Sequence, residues 1–143
     1  MNIDHRLLDT LTEQAKASPR LRMNMDLRDS ADDQSQRMLN ALEPGTVLPI
    51  HRHRKTAETV AILRGRAVQH LYDEEGRLVE SVLLEPFGAD CHVAGAPRND
   101  VETVPAMQVE MGQWHRLEAL ESGTVILEMK DGAYEPISPV DIL

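Results

Sequence analysis

The chain lacks the features of a secreted, disulfide-bonded or membrane-embedded protein. Its 143 residues include one cysteine, Cys91, so no disulfide can form within the chain. No run approaches the ~20 consecutive apolar residues of a membrane-spanning helix. The N-terminus carries Asp4, Asp9 and Glu13 where a secretory signal would be apolar. We therefore expect a soluble cytoplasmic protein in a reducing compartment.

Basic and aromatic residues are also scarce. Asp and Glu number 24 against 15 Lys and Arg, which gives a formal net charge of −9. That excess of negative charge disfavours nucleic acid and anionic membranes as partners, and a small-molecule ligand or substrate is expected instead. Aromatic residues make up 3% of the chain, so the core must be built mainly from Val, Leu, Ile, Met and Ala.

The hydrophobic pattern predicts one helix followed by many short strands. Residues 4–17 have a helical stripe, with Asp4 as N-cap and Pro19 beyond the end. Apolar and polar residues then alternate over 21–25, as in a half-buried strand. Further strand-like runs, separated by turn residues, cover 36–43, 46–53, 57–64, 66–72, 77–84, 114–120 and 124–130. The pattern favours an all-β sandwich or barrel behind a short N-terminal α-helix.

One long segment, residues 86–111, is irregular. Its glycines and prolines predict a loop with one short strand near 100–104. Long loops in compact domains are often functional, so this one could cover the mouth of a barrel. An edge elaboration or a subunit contact explains the same segment equally well.

Five residues form the most informative pattern in the chain: Gly45, His51, His53, Glu58 and Gly65, spaced G-x5-H-x-H-x4-E-x6-G. Two histidines one residue apart present both imidazoles on the same face of an extended segment. A carboxylate follows where the next strand begins, and glycines bound the stretch. Nitrogen and oxygen ligands that converge in this way are typical of a divalent transition-metal site.

A further histidine, His115, follows a turn-like Gly112 at the start of a later strand. Three histidines and Glu58 would leave one or two coordination positions open on the ion. Such a set suits Fe, Zn, Ni or Mn, and the residues alone do not choose among them. An open position allows activation of water, polarisation of a carbonyl or binding of oxygen.

Four other residues are candidates for binding a substrate: His70, His92, Arg37 and Tyr134. His92 lies in the long loop, and His70 would line the pocket if its strand places it inward; an outward position is the alternative. Arg37 and Tyr134 could hold an anionic or sugar-like ligand, although salt bridges and packing of the tail explain them equally well. The basic residues 52–55 are expected to form a solvated loop, with the histidine side chains turned inward.

The motif around His51 resembles the first motif of the cupin superfamily at every fixed position. The second cupin motif is matched in part, since Gly112 and His115 are kept while Glu110 and Ala119 replace the usual Pro and Asn. The resemblance implies a double-stranded β-helix, or jelly-roll barrel.

Within this superfamily the chain is most similar to the WbuC family of metalloproteins. The similar segments are 18–24, 36–42, 44–46, 51–53, 63–66, 114–115, 122–125 and 128–134. The resemblance departs between Phe87 and Met111. It implies a single cupin domain over 1–143, with a helix at 1–18, a barrel at 19–134 and a C-terminal tail at 135–143. It also implies a setting in polysaccharide or O-antigen metabolism.

Three hypotheses about function follow. The first is a metal-dependent enzyme on a small metabolite, such as a sugar derivative, acting as an isomerase, epimerase, lyase or dioxygenase. The second is a non-catalytic metal-dependent binding or sensing module, and the third is a protein whose metal only stabilises the fold. The resemblance further implies a homodimer, in which residues 21–25 could extend a neighbour's sheet.

Overall fold

The computed structural model describes residues 1–88 and 102–143. Within this part of the chain lie one α-helix, α1 (His5–Ala17), and nine strands. The strands are β1 (Arg22–Asp26), β2 (Ser35–Leu42), β3 (Glu58–Arg64), β4 (Ala67–Tyr72), β5 (Leu78–Leu84), β6 (Thr103–Val104), β7 (Ala106–Val109), β8 (Trp114–Ala119) and β9 (Thr124–Asp131). A 3₁₀ turn, Pro139–Asp141, lies near the C-terminus. No helix in the described ranges is long and apolar enough to cross a membrane.

The strands form two facing sheets. One has the order β1-β2-β9-β3-β7 and the other the order β6-β5-β4-β8, with antiparallel pairing except between β5 and β6. Side chains alternate along each strand, so one face of each sheet points to the barrel interior. The core between the sheets consists of Leu42, Val60, Ile62, Ala67, Leu84, Leu117, Ala119 and Ile126. The prediction of an all-β fold with one short N-terminal helix is confirmed.

Helix α1 covers the outer face of the five-stranded sheet. The Asp4 side chain accepts a hydrogen bond from the backbone N–H of Leu7 at 3.0 Å and so caps the first turn. The apolar stripe of the helix packs against outward-facing residues of the sheet. The buried members of this second cluster are Leu8, Leu11, Ala15, Leu39, Ala41 and Val125.

A β-bulge near the end of β3 turns Arg64 out of the barrel. The register with β9 shifts between Ile62 and Arg64. The guanidinium of Arg64 then bonds helix α1, with Nη1 2.7 Å from Asp9 Oδ1 and Nη2 2.9 Å from Thr12 Oγ1. An arginine that would otherwise enter an apolar interior thus ties the helix to the sheet.

The predicted strand at 46–53 is wrong. Within the described ranges the β-bridges of these residues are isolated ones, from His51 to His115 and to Ile142, so no regular ladder forms. Pro49 has no backbone N–H to give to a ladder, which limits regular pairing in this segment.

The end of the long predicted loop is regular. Thr103–Val104 pairs in parallel with β5, and Ala106–Val109 pairs with β3. The first of these strands overlaps the short strand predicted at 100–104, whereas the second was not predicted. Cys91 and His92 lie outside the described residues, and a role for the segment in covering the barrel mouth stays a prediction.

Candidate metal centre

Three separate segments bring the candidate ligands to one end of the barrel. Glu58 begins β3, and its buried side chain shares the inward face with Val60. His115 is the second residue of β8. Two backbone hydrogen bonds between His51 and His115 hold these residues side by side. The N–H of His51 donates to the carbonyl oxygen of His115 at 3.0 Å, and the N–H of His115 donates to that of His51 at 2.8 Å. One ligand atom each from His51, His53, Glu58 and His115 lies within 4.8 Å of all the others.

Hydrogen bonds from the rings set the tautomers of two histidines. Nδ1 of His51 lies 3.0 Å from the carbonyl oxygen of Pro49, and Nδ1 of His115 lies 2.8 Å from that of Gln113. A carbonyl oxygen only accepts, so each Nδ1 must carry the proton. The Nε2 atoms therefore hold free lone pairs, which is the arrangement by which proteins orient metal-binding imidazoles.

The centre contains buried nitrogen atoms without hydrogen-bond partners. Nε2 of His53 and Nε2 of His115 are both inaccessible and unbonded. Glu58 Oε2 is 2.9 Å from the first and 3.5 Å from the second, but these contacts lack the angles of hydrogen bonds. Buried polar atoms in native proteins are almost always satisfied, and a metal ion would satisfy all of these at once. The three imidazoles and one carboxylate thus fit a divalent transition metal.

The electrostatics also suit a cation. Burial, with the nearby His115 ring, lowers the pKa of His51 to about 4, so this ring is neutral at physiological pH. For Glu58, burial raises the pKa, and the Lys130 ammonium, 3.9 Å from Oε2, lowers it. Neutral imidazoles and an ionised carboxylate are the protonation states that bind a metal.

Two ionisable residues of β9, Lys130 and Glu128, lie next to this cluster. Lys130 is paired with Glu58 across β3 and β9, and Glu128 is paired with Val60. Lys130 Nζ is 3.9 Å from Glu58 Oε2. Burial and the Glu58 carboxylate together raise the pKa of Glu128 to about 7. Sequence reasoning missed Glu128, although its alternation with Ile126 placed it on the inward face.

A cavity of about 700 Å³ opens beside the cluster. His53 and Lys130 line its inner side, while residues 131–138 of the chain form much of its wall, including Tyr134. The cavity is large enough for a small metabolite. One of the predicted substrate-binding residues, Tyr134, therefore lies in a pocket that adjoins the metal centre.

The structure does not bring the other predicted binding residues to this pocket. His70 lies on the outer face of the four-stranded sheet, with Nδ1 2.9 Å from Ser81 Oγ and Nε2 2.8 Å from Glu118 Oε2. Arg37 is bonded to Asp33 at 3.1 Å on the helix-covered side of β2. His92 lies outside the described residues.

The basic stretch 52–55 is not the solvated loop that the sequence suggested. Lys55 and Arg54 are exposed, but the side chain of Arg52 is only 16% exposed and is paired with Asp141. The sequence could not show this pairing because the two residues lie far apart along the chain.

Three solved structures share this fold. KdgF from Halomonas sp. matches with a TM-score of 0.55 and 15% identity, over 82% of this chain and 84% of its own. Oxalate oxidase in complex with the substrate analogue glycolate gives a TM-score of 0.59 at 13% identity, over 85% of this chain and 56% of its own. Oxalate decarboxylase from Bacillus subtilis, which contains Mn(II) centres, gives a TM-score of 0.51 at 20% identity, over 85% of this chain and 27% of its own.

These identities are low, so the likeness shows the fold alone, and that fold is the cupin fold. The chain spans just over half of oxalate oxidase and about a quarter of oxalate decarboxylase. Comparison with curated proteins gives no match.

A family model covers residues 3–84, more than half of the chain. The matched region includes α1, strands β1 to β5 and three of the four candidate ligands; His115 lies beyond it. The chain therefore belongs to the family described as Domain of unknown function (DUF6016), and it adopts the cupin fold.

Proposed function

We propose that this protein is a divalent-metal-dependent enzyme that acts on a small polar metabolite. One observation carries the proposal: unpartnered Nε2 atoms and a buried carboxylate converge beside a cavity of about 700 Å³, which one of the ligands, His53, lines. A metal held by three imidazoles and one carboxylate would supply Lewis-acid polarisation or activation of water at its open positions.

Two ionisable side chains beside the ligands add to the chemistry of the centre, and one of them, Lys130, also lines the cavity. Lys130 is a cation near the site, and Glu128 has a pKa raised to about 7. A carboxyl group with a pKa close to the working pH can both accept and donate a proton. This favours proton-transfer reactions of a bound metabolite, as in isomerisation, epimerisation or elimination.

The class of metabolite is proposed from the polar groups in the cavity wall. Carboxamide, hydroxyl and charged groups line it, among them those of Gln36, Lys130 and Tyr134. These groups suit a ligand rich in oxygen, such as a sugar derivative. The resemblance to the WbuC family supports the same class and a place in polysaccharide or O-antigen metabolism. The Mn(II) centres of oxalate decarboxylase make manganese the first metal to test.

The test begins with metal analysis of the purified protein beside a His51→Ala/His53→Ala double variant. His70→Ala is the matched control, because it removes a histidine on the outer face of the barrel. We expect about one transition metal per chain in the wild type and the control, and none in the double variant. Absence of metal from the wild type after incubation with Mn(II), Fe(II), Zn(II) and Ni(II) would contradict the proposal.

The second stage separates an enzyme from a binding module. The metal-loaded protein is screened with sugar derivatives, and both binding and conversion are followed. Turnover that His53→Ala abolishes supports the enzyme. Tight metal-dependent binding with no turnover would favour the alternative of a non-catalytic sensing module.

A further inference from the structure

The two arginines of the His51–Arg54 segment both bond the carboxylate of Asp141, next to the metal centre. Side chains alternate along this segment, so Arg52 and Arg54 point away from the cluster that His51 and His53 form. Nε of Arg52 and Nε of Arg54 both donate to Oδ1 of Asp141, at 2.8 and 2.5 Å. The side chain of Asp141 is only 10% exposed, although it lies two residues before Leu143, the last residue of the sequence.

The backbone around Asp141 holds the same segment. The N–H of Arg52 donates to the carbonyl oxygen of Asp141 at 3.1 Å, and the N–H of Leu143 donates to that of Ile50 at 2.8 Å. His51 forms its bridges with His115 on one side and with Ile142 on the other. Residues 141–143 therefore take the place of a neighbouring strand for a segment that belongs to neither sheet.

Arg52 also joins this segment to the strand that carries His115. Its guanidinium lies over the ring of Trp114, 4.4 Å from the centroid. Glu74 Oε2 accepts from Nη1 of Arg52 at 3.3 Å and from Nε1 of Trp114 at 3.2 Å. Trp114 immediately precedes His115, so Arg52 contacts the outer side of both histidine-bearing segments.

We propose that Asp141 is a positioning residue of the metal centre, acting through Arg52 and Arg54. It sets the direction in which His51 and His53 present Nε2. The inference rests on the proposed metal binding and extends it to a residue outside both cupin motifs and outside the region matched by the family model. Loss of the carboxylate would leave two guanidiniums without their shared anion and free one side of the histidine segment.

The expected effect is on the metal, because partners behind the ligands commonly change metal affinity by about 10–100-fold. In the full-length protein, Asp141→Asn should weaken Mn(II) binding at least about tenfold and speed its release to a chelator. Asp141→Glu, which keeps the charge, should recover part of the loss. Glu75→Gln is the matched control: it removes an exposed carboxylate outside the cavity wall, paired with Arg77 at 3.3 Å, and should leave the affinity within about twofold.

The electron paramagnetic resonance spectrum of bound Mn(II) gives a readout that a merely structural role would not move. Asp141→Asn should change its zero-field splitting, and Asp141→Glu should restore the wild-type value in part. Wild-type affinity, release rate and spectrum in this variant would overturn the proposal.

Two further outcomes remain decisive. If Asp141→Asn does not fold, Arg54→Gln removes one of the two contacts at a side chain that is 55% exposed. Wild-type release and spectrum in that variant would overturn the proposal, and faster release would support it. Failure of the wild type to bind any of Mn(II), Fe(II), Zn(II) and Ni(II) would overturn the metal site itself, which is a different result from an unchanged Asp141→Asn.

Discussion

Lys130 is a single residue whose charge acts against the metal. Its ammonium lies 3.9 Å from Glu58 Oε2, and its side chain is 15% exposed, so water screens it poorly. Two unit charges about 4 Å apart interact by about 1 kcal/mol in bulk water and about 4 kcal/mol at an effective dielectric constant near 20, so this ammonium opposes a cation bound by Glu58 by at least about 1 kcal/mol. The same charge is available to hold an anionic group of a substrate beside the metal.

We predict that Lys130→Met strengthens Mn(II) binding several-fold. The reason is the loss of charge repulsion, and titration calorimetry at neutral pH measures it. The matched control is Lys55→Met, since Lys55 is 79% exposed and paired with Glu135; it should change the affinity little. Weaker binding in Lys130→Met would contradict this prediction and show that Lys130 is needed to orient the Glu58 carboxylate.

At the scale of elements, the sequence predicted what depends on local spacing. The period of the side chains predicted α1 and most strands. The two cupin-like motifs contain the four residues that the structure brings together. The segment 46–53 was predicted as a strand, because its pattern shows only that it is extended. Its partners are His115 and residues 141–143, and no local pattern reveals partners so distant in sequence. The pairing of Arg52 with Asp141 was missed for the same reason.

The turn between β3 and β4 shows how a motif glycine shapes an element. Gly65 has φ +86°, and a Cβ there would lie 2.3 Å from Oγ1 and 2.7 Å from Cα of Thr124. The strand pair can therefore approach β9 only if this position lacks a side chain. Gly132 has a similar φ of +84°, but a Cβ there would meet nothing within 4 Å.

We predict that Gly65→Ala destabilises the protein far more than Gly132→Ala. The second variant carries only the cost of a left-handed backbone, about 1–2 kcal/mol. The first adds a clash with backbone, and we expect it to cost at least about 2 kcal/mol more. Urea unfolding of both variants gives the comparison. Equal losses would mean that the turn relaxes and that Gly65 is required for its φ alone.

At the scale of the whole molecule, the site depends on the middle of the chain and on its C-terminal residues. The ligands come from the middle and from β8, whereas the wall of the cavity and Asp141 come from the last 13 residues. Sequence reasoning treated 135–143 as a tail beyond the barrel. In the structure, residues 141–143 hydrogen-bond the segment that carries His51 and His53. A motif search therefore locates the ligands but not the groups that hold them.

The edge of the larger sheet supports the proposal of a homodimer. Among the described residues, strand β1 has β2 as its one neighbour in the sheet, so its other side presents backbone groups that a second copy could pair. We predict a mass near twice 16.0 kDa by light scattering. Each copy has a formal charge of −9, so association works against repulsion between the copies. Salt screens such repulsion, with a Debye length of about 10 Å at 0.1 M. The dimer should therefore dissociate more readily at low ionic strength than at high, and a monomer mass at every salt concentration would contradict the prediction.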